Sequence, residues 1–183
     1  MLNYSYESIG ESNLMGKLSK GLLGALLVLF SNYACAQVST MKVTQKPFQV
    51  DGKGEVVTVF SIDMYDSSGH KMDDNIFNIT EGDLFDVVVE NDSTEPVTIH
   101  WHGLLLPNDQ DGVPDITENP IAPGESKHFK YPIIQSGTYW MHSHVGMQEQ
   151  LMLSAPYIIH KKDRPHEEMQ EVVMFLQDFV YTN

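Results

Sequence analysis

Two pairs of histidines, His100-Trp101-His102 and His142-Ser143-His144, lie in stretches rich in β-forming residues. Side chains alternate across a strand with a period of two, so both histidines of a pair face the same way. On the first stretch Thr98, His100 and His102 share one face, and Val97, Ile99 and Trp101 share the other. On the second, Thr138, Trp140, His142 and His144 share a face. Four imidazoles aimed at one space amount to a metal site. Imidazole alone, without thiolate or carboxylate, suits copper, zinc, iron or nickel.

The chain around these pairs reads as short strands separated by turns. Strands are expected at 55–64, 76–80, 84–90, 97–102, 127–131, 137–144 and 155–160. Turn signals such as Asp66-Ser67-Ser68-Gly69, Glu81-Gly82-Asp83 and Asn91-Asp92-Ser93 divide them. Residues 106–126 carry Pro107, Pro114, Pro120 and Pro123 and read as a long loop. This spacing predicts an all-β domain over 37–160, a Greek-key β-sandwich.

The ends read differently. Lys17 and Lys20 precede an apolar run at 21–30, followed by Ala34-Cys35-Ala36. A basic region, a short apolar stretch and an Ala-x-Ala site predict a secretory signal peptide over 1–36, cleaved after Ala36. Met15 is an alternative start, and a lipoprotein signal at Cys35 is the competing reading; Asn32 stands where that signal wants an aliphatic residue. Cys35 is the only cysteine. Its loss with the signal leaves no thiolate ligand and no disulfide in the mature chain. Residues 161–168 are charged, contain Pro165 and read as a linker. The apolar run Val172-Val173-Met174-Phe175-Leu176 reads as a strand opening a second domain, so 161–183 is expected to be a linker and a truncated domain start. The formal net charge of −14 argues against nucleic acid or an anionic membrane surface as partner, and nothing after the signal reads as a membrane anchor.

Zinc is the runner-up metal, because its catalytic sites commonly use three ligands on one ion, whereas two strand pairs spread four ligands over a wider opening. Further motifs sharpen the choice. His100-Trp101-His102-Gly103 runs into Leu104-Leu105-Leu106-Pro107, then Asp111-Gly112-Val113-Pro114, then Pro120-Ile121-Ala122-Pro123-Gly124-Glu125, then Gly137-Thr138-Tyr139-Trp140-Met141-His142-Ser143-His144. In that order they resemble the N-terminal cupredoxin domain of the multicopper oxidases. Gly146-Met147-Gln148-Glu149-Gln150 resembles the periplasmic copper-resistance branch, the CopA/PcoA-like proteins.

The resemblance implies a cupredoxin-like sandwich, copper as cofactor, and oxidation of a substrate such as Cu(I) or a phenol coupled to reduction of O2. In that family a type 1 copper takes electrons and a trinuclear cluster of type 2 and type 3 coppers binds oxygen. By the same resemblance His100 is a type 2 ligand, His102 and His142 serve one type 3 copper, and His144 serves the other. Asp111 matches an acidic position that helps deliver protons; a turn residue before Gly112 is the equal alternative. The His-x-x-His-x-His and His-Cys-His motifs that complete the family's cluster, and the Asn-Gly-x-x-Pro-Gly-Pro segment of many members, are absent. Half a cluster cannot run the reaction. Two readings therefore stand: the copper-binding N-terminal module of a secreted, periplasmic oxidase serving copper tolerance, or a non-catalytic periplasmic copper binder or truncated product. A metallohydrolase is remote, with no general base beyond Asp111.

Other candidates read as structural. His70, His128, His160 and His166 stand isolated among polar residues and are expected to be solvated. Met141, Met147 and Met152 are expected to pack in the core, with soft Cu(I) contact as the alternative. Trp101 and Trp140 are expected to hold the histidine strands in place.

Overall fold

The computed structural model describes residues 39–50, 54–163 and 171–179. The chain separates into two units, Met1–Tyr33 and Ala34–Asn183, and the described residues all belong to the second. The signal-peptide reading, Cys35 and His166 lie outside the described residues.

Among the described residues, alternating apolar positions build eight strands: β1 (Ser39–Gln49), β2 (Val56–Tyr65), β3 (Phe77–Thr80), β4 (Leu84–Asn91), β5 (His100–His102), β6 (Ser126–Pro132), β7 (Gly137–His142) and β8 (Ser154–His160). They form two four-stranded sheets, ordered β2-β1-β4-β6 and β3-β8-β7-β5. Antiparallel pairs dominate, but β1 runs parallel to β4, and β3 to β8. The expected all-β sandwich is therefore the observed architecture.

Register decides which side chains become core. Met41 faces Met64 and Val43 faces Ile62 across β1 and β2; Phe85 faces Tyr131 and Val87 faces Phe129 across β4 and β6. These residues are buried, and they meet Phe77, Trp101, Met141, Tyr157 and Ile159 from the second sheet. Because the period is two, burying Trp101 and Met141 turns His100, His102 and His142 to the opposite, outer face. The core thus dictates where the imidazoles point.

Two segments depart from expectation. β1 escaped the sequence reading because Lys42, Thr44, Lys46 and Pro47 interrupt its apolar pattern, and its register depends on β4, remote in sequence. The expected strand at 172–176 has no regular structure, and Val172, Met174 and Leu176 are exposed. An apolar run becomes a strand only where an edge pairs with it, and no ladder reaches this one. Instead Phe175 lies 6.3 Å, ring to ring, from Trp140, and Gln177 accepts a hydrogen bond from Ser154 Oγ at 2.6 Å. Among the described residues no helix is long and apolar enough to cross a membrane.

Candidate metal centre

Among the described residues β5 is the edge strand of its sheet and pairs only with β7. The register sets His100 opposite His142 and His102 opposite Trp140, so cross-strand pairing assembles the cluster. Ligand atoms of His100, His102 and His142 all lie within 4.8 Å of one another. His102 Nδ1 stands 3.1 Å from His142 Nε2. His144 falls outside this three-residue group, yet its ring lies 4.8 Å from those of both His100 and His142. All four histidines expected from the sequence therefore gather in one place.

Neighbouring acceptors settle which ring nitrogens are free. His100 Nδ1 donates to the Asp111 carbonyl at 2.7 Å, and Asp111 Oδ1 stands 3.3 Å from the same nitrogen. His142 Nδ1 donates to the Ser143 carbonyl at 3.1 Å. With Nδ1 protonated, each ring presents Nε2 as a lone-pair donor, the arrangement of a metal-ligating histidine held by an outer acceptor. Asp111 is thus placed at the cluster through both its carbonyl and its carboxylate.

Backbone geometry fixes the supports. The loop carrying Asp111 passes so close to β5 that Gly112, at φ +75°, lies against the Ile99 carbonyl. Gln110 Oε1 accepts from Lys130 N at 2.8 Å, and Glu118 pairs with Lys127, tying the same loop to β6. Ahead of β5, the buried Asn91 donates to the Glu95 and Ile121 carbonyls at 2.8 Å each. After β7, His144 N donates to the buried Thr98 hydroxyl at 3.1 Å. Trp140 stacks on His142 at 4.1 Å and on His102 at 5.0 Å.

Two residues near the cluster escaped the sequence reading as functional groups. The buried Gln148 accepts from Ser143 Oγ at 2.7 Å and donates to the Pro96 carbonyl at 2.9 Å, joining the segments that carry the two histidine pairs. Glu149 Oε2 stands 3.1 Å from His142 Nδ1. Both lie in the Gly146–Gln150 segment that resembles the copper-resistance branch, which marked the branch and assigned neither residue a role.

As expected, His70 and His128 are exposed to solvent, whereas His160 is half-buried. All three also have partners: His128 lies 2.5 Å from the buried Asp86, His160 contacts Asn78, and His70 contacts Ser68. Each gains its partner from a neighbouring strand or a tight turn. Met141 packs in the core as expected, but Met147 is 54% exposed, because its turn projects from the sheet.

Burial pushes the His142 imidazole down from its ordinary range to about 4; the Ser143 carbonyl opposes this, and the other three histidines add to it. His144 is lowered as well, first by burial and then by His100. The metal-free fold therefore keeps His142 neutral at pH values where the unfolded chain protonates it. The unfolded state then binds more protons, so stability present above about pH 6.5 is lost as the pH falls towards 4, by about 1.4 kcal/mol per unit of pKa displacement. In the presence of a chelator, the urea midpoint should fall more steeply between pH 6.5 and 4.5 for the native chain than for His142→Gln. Parallel curves would remove His142 as the cause.

A two-sheet sandwich with a histidine cluster across an edge-strand pair defines a β-domain whose side chains could hold a metal ion, and comparison with known proteins gives its family. The multicopper oxidase family model matches residues 70–164, just over half of the 183. The chain belongs to the multicopper oxidase family, and copper is the metal that membership implies. It is 40% identical over 100 residues to a copper resistance protein A homolog of Pseudomonas syringae, covering 54% of this chain and 17% of that one. Against copper resistance protein A of Escherichia coli the values are 38% identity, 56% and 17%. Multicopper oxidase MmcO of Mycobacterium tuberculosis is 31% identical over 76% of this chain and 26% of its own. The solved multicopper oxidase mgLAC superposes with a TM-score of 0.58 at 30% identity, covering 69% of this chain and 39% of that one. The chain thus spans between a sixth and two-fifths of the length of these relatives.

Proposed function

We propose that this chain is the N-terminal copper-binding module of a secreted multicopper oxidase and contributes half of a trinuclear copper site. The supporting observation is the 3.1 Å spacing of His102 Nδ1 and His142 Nε2, together with the commitment of Nδ1 of His100 and His142 to protein acceptors. Two nitrogens that close fit metal–nitrogen bonds of about 2.0–2.1 Å to a single ion. An all-imidazole donor set with a fixed outer shell suits copper.

In this reading His100 serves a type 2 position, His102 and His142 one type 3 position, and His144 the other. Bound copper supplies the family's redox chemistry, in which oxidation of a reducing substrate is coupled to reduction of O2. This chain's own residues hold the imidazoles and manage protons. Asp111 sets the His100 tautomer through its carbonyl, and its carboxylate, 3.3 Å from the ring, is placed to store or pass a proton. Trp140 closes one side of His142 against water. The remaining histidines and the cysteine-bound type 1 site would come from another domain. The domain reading that goes with this is a signal peptide over 1–36, the copper module over 37–160 and the start of a further domain over 161–183. The kinship with copper resistance proteins favours Cu(I) or a phenol as reducing substrate, a role in copper tolerance and a periplasmic setting.

Copper titration of the chain tests the site. The native chain should bind Cu(II), and the His100→Ala/His142→Ala double variant, folded by circular dichroism, should lose at least about a hundredfold in affinity, since two ligands go and outer-shell losses alone cost about 10–100-fold. Equal binding by both proteins would overturn the assignment. A non-catalytic copper-binding protein using the same four histidines is the alternative. A reading frame that continues past Asn183 into a His-Cys-His motif would support the first reading, and a genuine stop there the second.

A further inference from the structure

His100 and His142 face each other across the β5–β7 pair, and each Nδ1 meets both a backbone carbonyl and a carboxylate oxygen. His142 Nδ1 donates to the Ser143 carbonyl at 3.1 Å, and Glu149 Oε2 stands at the same distance from that nitrogen. The His142 side chain is almost fully buried, while the Glu149 side chain is one-third exposed.

An exposed carboxylate near an imidazole ordinarily contributes little. What distinguishes Glu149 is the rigidity of the turn that carries it. Leu151 N donates to the Met147 carbonyl at 3.0 Å, Met152 N to the Glu149 carbonyl at 3.0 Å, and Leu153 N to the Gln148 carbonyl at 2.9 Å. Met152 closes the turn at φ 73°, a left-handed conformation uncommon for a side-chain-bearing residue. The preceding Gln148 is buried and clamped between Ser143 and Pro96. From the other side, Gln177 donates to the Glu149 carbonyl. The carboxylate is therefore delivered to His142 by a turn fixed at both ends.

From this placement we infer that Glu149 is the positioning residue of His142, holding its Nδ1–H so that Nε2 is kept as a strong donor for the higher oxidation state of copper. The inference rests on the proposed copper site and deepens it. A carboxylate behind a ligating imidazole orients the ring and raises its basicity. Its negative charge also favours a doubly charged ion over a singly charged one, by Coulomb's law. At His100 the carbonyl, at 2.7 Å, is nearer than the Asp111 carboxylate oxygen at 3.3 Å, whereas at His142 carbonyl and carboxylate stand equally near at 3.1 Å. The two halves of the pair are thus tuned differently by residues outside the histidine motifs.

The test compares Cu(II) and Cu(I) affinities, measured by competition with chelators, for the native chain, Glu149→Gln, Glu149→Asp and His142→Ala. Circular dichroism first establishes that each variant folds. Glu149→Gln should bind Cu(II) about 10–100-fold more weakly and Cu(I) much less affected, so the affinity ratio falls. Glu149→Asp, which keeps the charge, should recover part of the Cu(II) affinity. If Glu149→Gln binds both ions like the native chain while His142→Ala does not, the role of Glu149 is overturned and the copper site stands. If both affinities fall equally, the residue is merely structural, and the inference again fails. If His142→Ala binds like the native chain, the copper site itself fails and takes the Glu149 role with it.

Discussion

Replacing Gly112 by alanine is expected to cost about 3 kcal/mol of folding stability, at the upper end of the usual point-mutant range, and to loosen copper binding at the same time. At φ +75° a Cβ added to Gly112 would lie 1.8 Å from the Ile99 carbonyl oxygen, 2.4 Å from its carbon and 2.9 Å from His100 N. All three are backbone atoms, so no rotamer change relieves the contact. The left-handed conformation adds about 1–2 kcal/mol of strain for any residue with a Cβ. The chain must respond by lifting the Asp111 loop from β5, which breaks the 2.7 Å bond from His100 Nδ1 to the Asp111 carbonyl. His100 then loses both its tautomer and its orientation. Gly69→Ala is the control: Gly69 has φ +82°, but its added Cβ meets nothing within 4 Å, so it carries strain without collision. Urea unfolding with chelator present should show Gly112→Ala losing at least twice what Gly69→Ala loses, and only Gly112→Ala should bind Cu(II) more weakly. Equal losses in the two variants would mean the loop has room to spare, and the close packing of Gly112 on β5 would cease to explain how His100 is held.

How far the sequence foretold this arrangement depends on which interaction placed each residue. The histidine pairs were legible because strand periodicity is local: Trp101 and Met141 are apolar, so residues one step away face out. Their convergence required only that the two strands meet, which the β5–β7 register provides. β1 was hidden because its polar face and Pro47 dilute the alternation, and its parallel partner β4 is remote in sequence. The run at 172–176 misled for the opposite reason: its composition is strand-like, but pairing is a property of the neighbours. Glu149 and Gln148 were visible as residues and unreadable as functional groups, since only the tight turn after the second pair folds them back onto His142 and Pro96. His128 shows the same limit. Its acidic partner Asp86 belongs to β4, and the β4–β6 register alone brings them together. Periodicity reveals which way a side chain faces; its partners come from tertiary contacts.

Trp101→Ala is expected to cost about 3–5 kcal/mol, the range for removing a large buried aromatic, and to release the histidine strand with it. Trp101 is fully buried and sits at the centre of the aromatic core. Its ring lies 4.8 Å from Phe85, 5.2 Å from Phe129 and 5.4 Å from Phe77, each edge to face. Edge-to-face pairs of this kind each add about 0.5–1.5 kcal/mol beyond the area they bury. β5 is three residues long, forms the sheet edge and, among the described residues, pairs only with β7. Trp101 is its single inward anchor, so the strand has little else to hold His100 and His102 in register. Trp101→Phe should be much milder. It retains an aromatic ring, and it removes an indole Nε1 that finds no hydrogen-bond partner among the described residues, a buried donor whose desolvation costs about 1–3 kcal/mol. Chemical denaturation should therefore rank the native chain and Trp101→Phe close together and Trp101→Ala far below. Copper affinity should follow the same order, because anchor and ligands share one short strand. A Trp101→Ala protein that lost stability yet bound copper like the native chain would show that β7 and the Asp111 loop hold the site without the core behind β5.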